Sequence, residues 1–297
     1  MAIRLDFLTD AGEFLGIAGE HLQEEPVKNT VVATSAQRFA AGLQGDADDW
    51  WLVVREGHAV VGAGMRTASF ASRPVSLLSM PAEAARLLAC TLHHHQEALV
   101  QVNGALPTVR VCAEESARLI GGSVQVSMRT RLLEVRKVIA PPRAEGHLRV
   151  ARARDVALAI AWCAAFMADA DEQAARPPGS THHHVQDRDA MLRQIDDGQW
   201  WLWVDRTNEP LHLTRVRPVS FGAARLGPVY TPPVHRGRGY ASTAVADISQ
   251  RILDQGARPC LLTDQANPTS SKLYRALGYR SVSDMADLVI KEECPPD

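Results

Sequence analysis

The chain is poor in the features that would assign it to several functional classes. Lysine is scarce, with four residues against 28 arginines, and neither charge is in excess: 32 Lys+Arg face 34 Asp+Glu, for a net charge of -2. No overall field marks a polyanion binder, so nucleic acid is not an expected partner. The five cysteines, Cys90, Cys112, Cys163, Cys260 and Cys294, are odd in number, scattered and never spaced C-x-x-C, which argues against a disulfide framework or structural zinc; no metal is expected. The longest apolar run, Val156 to Ala168, is 13 residues where a membrane span needs about 20. The first ten residues carry Arg4, Asp6 and Asp10 and lack the apolar core of a secretion signal, so a cytoplasmic protein without a membrane partner is expected. What is present, 297 residues at 46% hydrophobic, suffices for two globular domains.

An internal repeat organises them. Asp49-Trp50-Trp51-Leu52-Val53-Val54 recurs as Gln199-Trp200-Trp201-Leu202-Trp203-Val204. The order continues: Arg73 to Pro81 parallels Leu226 to Pro233, Pro107 to Cys112 parallels strand Pro259 to Leu262, and Leu119-Ile120-Gly121-Gly122 parallels Ala276-Leu277-Gly278-Tyr279. The proline- and glycine-bearing stretch Ala140 to Gly146 reads as a linker between domains 1–140 and 147–297. Strands and helices in this order give an α/β (α+β) fold in two copies. All four tyrosines, Tyr230, Tyr240, Tyr274 and Tyr279, fall in the second copy, which is therefore the expected working half.

Two stretches there carry chemistry. In the first, strand Val229-Tyr230-Thr231 runs through Pro232-Pro233-Val234-His235 into Arg236-Gly237-Arg238-Gly239 and a helix opening Tyr240-Ala241-Ser242-Thr243. A glycine turn at a helix N-terminus exposes unpaired N–H groups at the positive end of the helix dipole. Arg236 and Arg238 add charge, and Ser242 and Thr243 add hydroxyls. No Lys-Ser or Lys-Thr follows, which excludes a Walker loop, and Ser242 stands where a Rossmann fingerprint needs its third glycine. In the second stretch Asn267 suits a helix N-cap and Pro268 the first helical position, with Ser270 and Tyr274 on one face.

Together these stretches resemble the GNAT acetyltransferase superfamily. Arg236-x-x-Gly239-x-Ala241 is similar to its pyrophosphate-binding signature, and Asn267-x-x-Ser270-x-x-Leu273-Tyr274-x-x-x-Gly278-Tyr279 to its C-terminal one. The likeness covers residues 147–291 well and the first half weakly, as in tandem GNAT proteins with a degenerate N-terminal copy. It implies two GNAT-like domains, each a mixed, mostly antiparallel sheet flanked by helices. It also implies acetyl-CoA as co-substrate, with pantetheine along Val229, Tyr230 and Thr231, pyrophosphate on Arg236 to Thr243, and Asn267 and Ser270 alongside. The implied partner is an amine-bearing acceptor, with Tyr274 protonating the departing thiolate. Many family members have Glu where this chain has Val234, which removes one candidate base.

Asp169 and Glu172, near the end of the helix opening the second copy, are candidates to accept the amine's proton, and His182-His183-His184 follow in the next loop. The alternative from another class is a non-catalytic acyl-CoA-binding or sensing module. In the first copy Pro81-Ala82-Glu83-Ala84-Ala85-Arg86 replaces the glycine turn and puts an acid where phosphates would lie, so one acetyl-CoA per chain is expected.

Overall fold

A computed structural model describes residues 2–67, 73–177, 179 and 187–292. In the first half, β1 (Ile3–Leu8), α1 (Ala11–Glu24), α2 (Thr30–Ala40), β2 (Trp50–Glu56), β3 (Ala59–Arg66), β4 (Val75–Leu77), α3 (Ala82–His94), β5 (Gln101–Ala105), α4 (Thr108–Ile120) and β6 (Gly122–Glu134) follow one another. The order then repeats as β7 (His147–Val150), α5 (Val156–Gln173), α6 (Arg188–Asp196), β8 (Trp200–Val204), β9 (Pro210–Val216), β10 (Ala223–Tyr230), α7 (Tyr240–Asp254), β11 (Arg258–Asp264), α8 (Pro268–Ala276) and β12 (Arg280–Glu292).

The elements form two compact units, one of residues up to Leu132 together with those from Val282 onward, the other of residues 133–281. In the first, neighbouring strands run β1-β2-β3-β4-β5-β12; in the second, β7-β8-β9-β10-β11. Among the described pairings each contains one parallel pair, β4 with β5 and β10 with β11, beside antiparallel ones, so the pairing pattern repeats along with the element order.

Local chemistry explains the elements. Asp10 caps α1 by accepting the Glu13 N–H at 2.7 Å, and Phe14, Ala18 and Leu22 recur every four residues on its buried face. Trp51 packs against Phe14 and Phe39 on one side of the first sheet, and Leu52, Val75, Leu77 and Val102 join Leu88, Leu92 and Val109 on the other. In the second unit Leu202 and Leu213 pack against Val156, Ala159 and Met191, while Leu226 and Leu261 pack against Val245, Ile248 and Ile252.

Two sequence expectations are corrected. Residues 108–112 open α4 instead of forming a strand. Their branched side chains read as extended, but Val109, Cys112, Ala113, Ser116 and Ala117 are buried at helical spacing, and the strand equivalent to β11 is β5. The second unit also differs from residues 147–297. Met285 to Val289 pair with Gln101 to Ala105, which assigns the chain's last described strand to the first unit. The 133–146 stretch is built into the second unit by Val135 N–H to the Pro259 carbonyl (3.1 Å), Ile139 N–H to the Leu277 carbonyl (3.0 Å) and the Trp203 indole N–H to the Glu145 carbonyl (2.8 Å).

The first unit's parallel pair is closed tightly. Gly104 pairs with Leu77, and a Cβ there would lie 2.0 Å from the Leu77 carbonyl oxygen, at φ +133° where L side chains are strained. Gly104→Ala is expected to cost about 2 kcal/mol or more of unfolding free energy in urea titration; a loss below about 0.5 kcal/mol would contradict this packing.

Candidate active site

In the second unit the parallel ladder between β10 and β11 covers Ala223 to Leu226 against Arg258 to Leu261. Both strands continue, but β10 shifts register against β9 between Leu226 and Val229, and Pro228 offers no N–H to a neighbour. A cleft opens there. Its walls are Leu226 to Val229 and Leu262 to Asp264; α5 contributes Phe166 and Ala170, and α8 contributes Asn267, Ser270 and Tyr274.

The glycine turn lies between β10 and α7. Gly237 and Gly239 hold φ +76° and +80°, and residues 236–239 are exposed. Gly239 stands at the N-cap of α7 with no side-chain cap, leaving the first-turn N–H groups open. Apart from Ala144 Cβ at 3.8 Å, nothing in the protein crowds Gly239, so its backbone angle, not lack of room, demands glycine. The uncapped turn and the adjoining cleft fit a phosphate-bearing, extended ligand such as acetyl-CoA.

Most predicted residues gather here, with different tasks. Val229 lines the cleft, whereas Tyr230 turns to the opposite sheet face against Trp162 (6.1 Å between ring centroids) and Phe166 (6.4 Å). Burial, then the Asp169 carboxylate and its hydrogen bond, push the Tyr230 hydroxyl up, against a smaller downward pull from Arg236. Asp169 forms an ion pair with Arg236, whose Nε donates to the Thr231 carbonyl at 3.0 Å. Arg238, Tyr240, Ala241 and Ser242 lie on the turn and the first helical turn. Asn267 caps α8 by accepting the Ser270 N–H at 3.0 Å and donates to Gln173 Oε1 at 2.5 Å.

The two motif tyrosines separate clearly. Ser249 Oγ donates its one proton to the Val245 carbonyl (2.6 Å), so the Tyr279 hydroxyl donates to Ser249 (2.7 Å) and is fixed in the core. Tyr274 packs edge-on against Tyr279 (5.7 Å) and reaches the cleft; burial raises its pKa and keeps it protonated.

Two predicted residues are not brought to the site. Thr243 faces inward, its hydroxyl accepting the Ala144 N–H (3.1 Å) and donating to the Gly239 carbonyl (3.1 Å), because it falls on the core face of α7. Glu172 is exposed on the same side of α5 as Ala161, Ala164 and Ala168. His182 to His184 lie outside the described residues.

Sequence reasoning missed several participants. Phe166 sits in an apolar run without periodic contrast, and Arg176 pairs with Asp264 from what reads as plain loop. His212 hides among the apolar residues of β9. Fully buried, it bonds the Thr231 hydroxyl through Nδ1 and the Thr214 hydroxyl through Nε2, both at 2.7 Å, and so supports the strand end that carries the turn. Desolvation lowers its pKa to about 3. An unfolded histidine titrates near 6.5, so below that pH the unfolded chain takes a proton the folded one refuses, and stability falls with pH by up to about 1.4 kcal/mol per unit. Urea unfolding at pH 7.5 and 5.5 should show a steeper loss for wild type than for His212→Asn; equal losses would contradict this.

Residues 217–286 match the family model described as FR47-like protein. No curated protein sequence matches the chain significantly. Among solved structures, the chain is similar to a GCN5-related N-acetyltransferase from Sphaerobacter thermophilus (16% identity, TM-score 0.56, covering 98% of this chain and 95% of that one). A GNAT-family acetyltransferase from Colwellia psychrerythraea aligns with TM-score 0.54 at 9% identity, over 98% of this chain and 100% of that one. A tandem GNAT protein from the clavulanic acid biosynthesis pathway aligns over 99% of this chain and 100% of its own, with TM-score 0.53 at 14% identity. With the splayed strand pair, the glycine turn and the repeated element order, these likenesses identify the chain as a tandem protein of the GNAT fold.

Proposed function

We propose that the second unit transfers the acetyl group of acetyl-CoA to a primary amine by direct attack within a ternary complex. The observation that carries this reading is Tyr274: a buried, protonated phenol in the wall of a cleft that leads to an uncapped glycine turn. In acetyl-CoA the thioester supplies an activated acyl group, so the protein needs only to orient it, move protons and exclude water. The backbone of Gly227 to Thr231 offers an extended edge to the pantetheine, and the N–H groups from Arg236 to Ser242, with Arg238, serve the pyrophosphate. Tyr274 holds a proton at Oη for the thiolate. Asp169, hydrogen-bonded to Tyr230, whose ring packs against Trp162 and Phe166, would receive an ammonium group or its proton.

In the first unit the equivalent segment is tied down. Thr108 Oγ1 accepts the Met80 N–H at 3.2 Å, tying the start of α4 to the segment after β4, and Glu83 lies in the first turn of α3.

Calorimetry should therefore find one acetyl-CoA per chain; two equivalent sites would refute this assignment. Tyr274→Phe should lower turnover roughly 10²-fold, the usual reach of a general acid, with little change in CoA affinity. Release of free thiol that requires an added amine separates transfer from a module that only binds acyl-CoA.

A further inference from the structure

The first arginine of the glycine turn is already occupied. Arg236 reaches back from the turn to the Thr231 carbonyl and to Asp169 on α5, next to the Tyr230 hydroxyl. Both members of the pair are partly exposed, Arg236 at 43% and Asp169 at 23% of side-chain surface, so the pair can open without exposing core. Its acid lies on the side of the site proposed for the acceptor, and its base belongs to the turn proposed for the pyrophosphate.

We propose that Asp169 is a competing counter-ion for Arg236: it holds the arginine when no donor is bound, and a pyrophosphate on the turn displaces it. This rests on the reading of the turn as a CoA site. A CoA pyrophosphate carries more charge than one carboxylate and adds the open N–H groups of the turn, so it outcompetes Asp169 for the guanidinium. Asp169 keeps its place when released, because two further ties hold the end of α5 without using Arg236. Arg176 pairs with Asp264 at the end of β11, and Gln173 accepts from Asn267 at the start of α8. The uncovered carboxylate then stands beside the Tyr230 hydroxyl, whose ring packs against Trp162 and Phe166, so a cationic amine is met by a charge next to an aromatic cluster. Asp169 thereby sets donor affinity and makes the acceptor's anionic partner available once the donor is seated.

The test is a double-mutant cycle read by calorimetry with free CoA as the probe, which requires no turnover. Asp169→Asn frees Arg236 and should tighten CoA binding about three- to tenfold, while Arg236→Gln should weaken it. In the Arg236→Gln background the added Asp169→Asn change should give no tightening, since the competition runs through Arg236. An Asp169→Asn variant with unchanged or weaker affinity would overturn the proposal. Equal tightening in both backgrounds would also overturn it, because the carboxylate would then act on the cofactor by simple repulsion. Absence of CoA binding by the wild type would instead remove the functional reading itself.

Discussion

The site depends on one interrupted hydrogen-bond ladder. β10 and β11 pair in parallel through Leu226 and Leu261 and then run on without each other. Backbone donors and acceptors released in this way must find partners, and an extended ligand carrying amides of its own is a suitable one. The interruption is tolerated because each flank is anchored separately. Val245, Ile248 and Ile252 of α7 pack with Leu226 and Leu261 on one sheet face, and on the other Val156 and Ala159 of α5 pack with Leu202 and Leu213. The register shift after Leu226 and the missing N–H of Pro228 place the interruption at one point along β10.

Around that opening, identical side-chain types take different work according to the lattice of partners they meet. Tyr279 and Tyr274 are five residues apart and touch edge to face, yet the single proton of Ser249 commits Tyr279 to a fixed donation in the core, while Tyr274 presents its phenol to the cleft. Thr231 and Thr243 both look available in the sequence. His212 claims one hydroxyl and the Ala144 N–H the other, so these threonines support the turn from behind and leave its front to backbone N–H groups.

Much of this was legible. The glycine turn, the Asn267-Pro268 helix start and the cleft phenol are local patterns whose physics does not depend on distant residues, and each lies where the sequence places it. Less legible was whatever depends on facing or on long-range pairing. Thr243 and Ser242 are adjacent, and only the core packing of α7 decides which one turns inward. Glu172 and Asp169 are three residues apart on a helix that is apolar nearly all round, so periodicity could not separate their faces. The residues from Thr108 to Cys112 include β-branched Thr108, Val109 and Val111, and burial at helical spacing overrode that propensity. No local signal reports that Met285 to Val289 pair with Gln101 to Ala105, nearly two hundred residues earlier.

The two units differ at the segment that forms the cleft in the second. Both have a parallel strand pair followed by a helix, so the architecture is shared and the difference lies in side chains and backbone detail. In the first unit, Gly104 has no side chain and the Leu77 carbonyl occupies the space where a Cβ would stand, which brings the two strands together up to the end of β4. The Thr108 hydroxyl then bonds Met80 just beyond it, taking up a backbone N–H that an open cleft would leave for a ligand. An acid in the first turn of α3 completes the difference, since a carboxylate satisfies the positive helix end that a phosphate would otherwise seek. Closing the ladder, engaging the amide and placing an acid at the helix end are independent changes in chemistry, and each is unfavourable to the phosphate and pantetheine contacts proposed for the second unit. Their joint presence leaves the core of Leu52, Val75, Leu88 and Val102 intact, which is how the fold persists in a copy whose turn has changed.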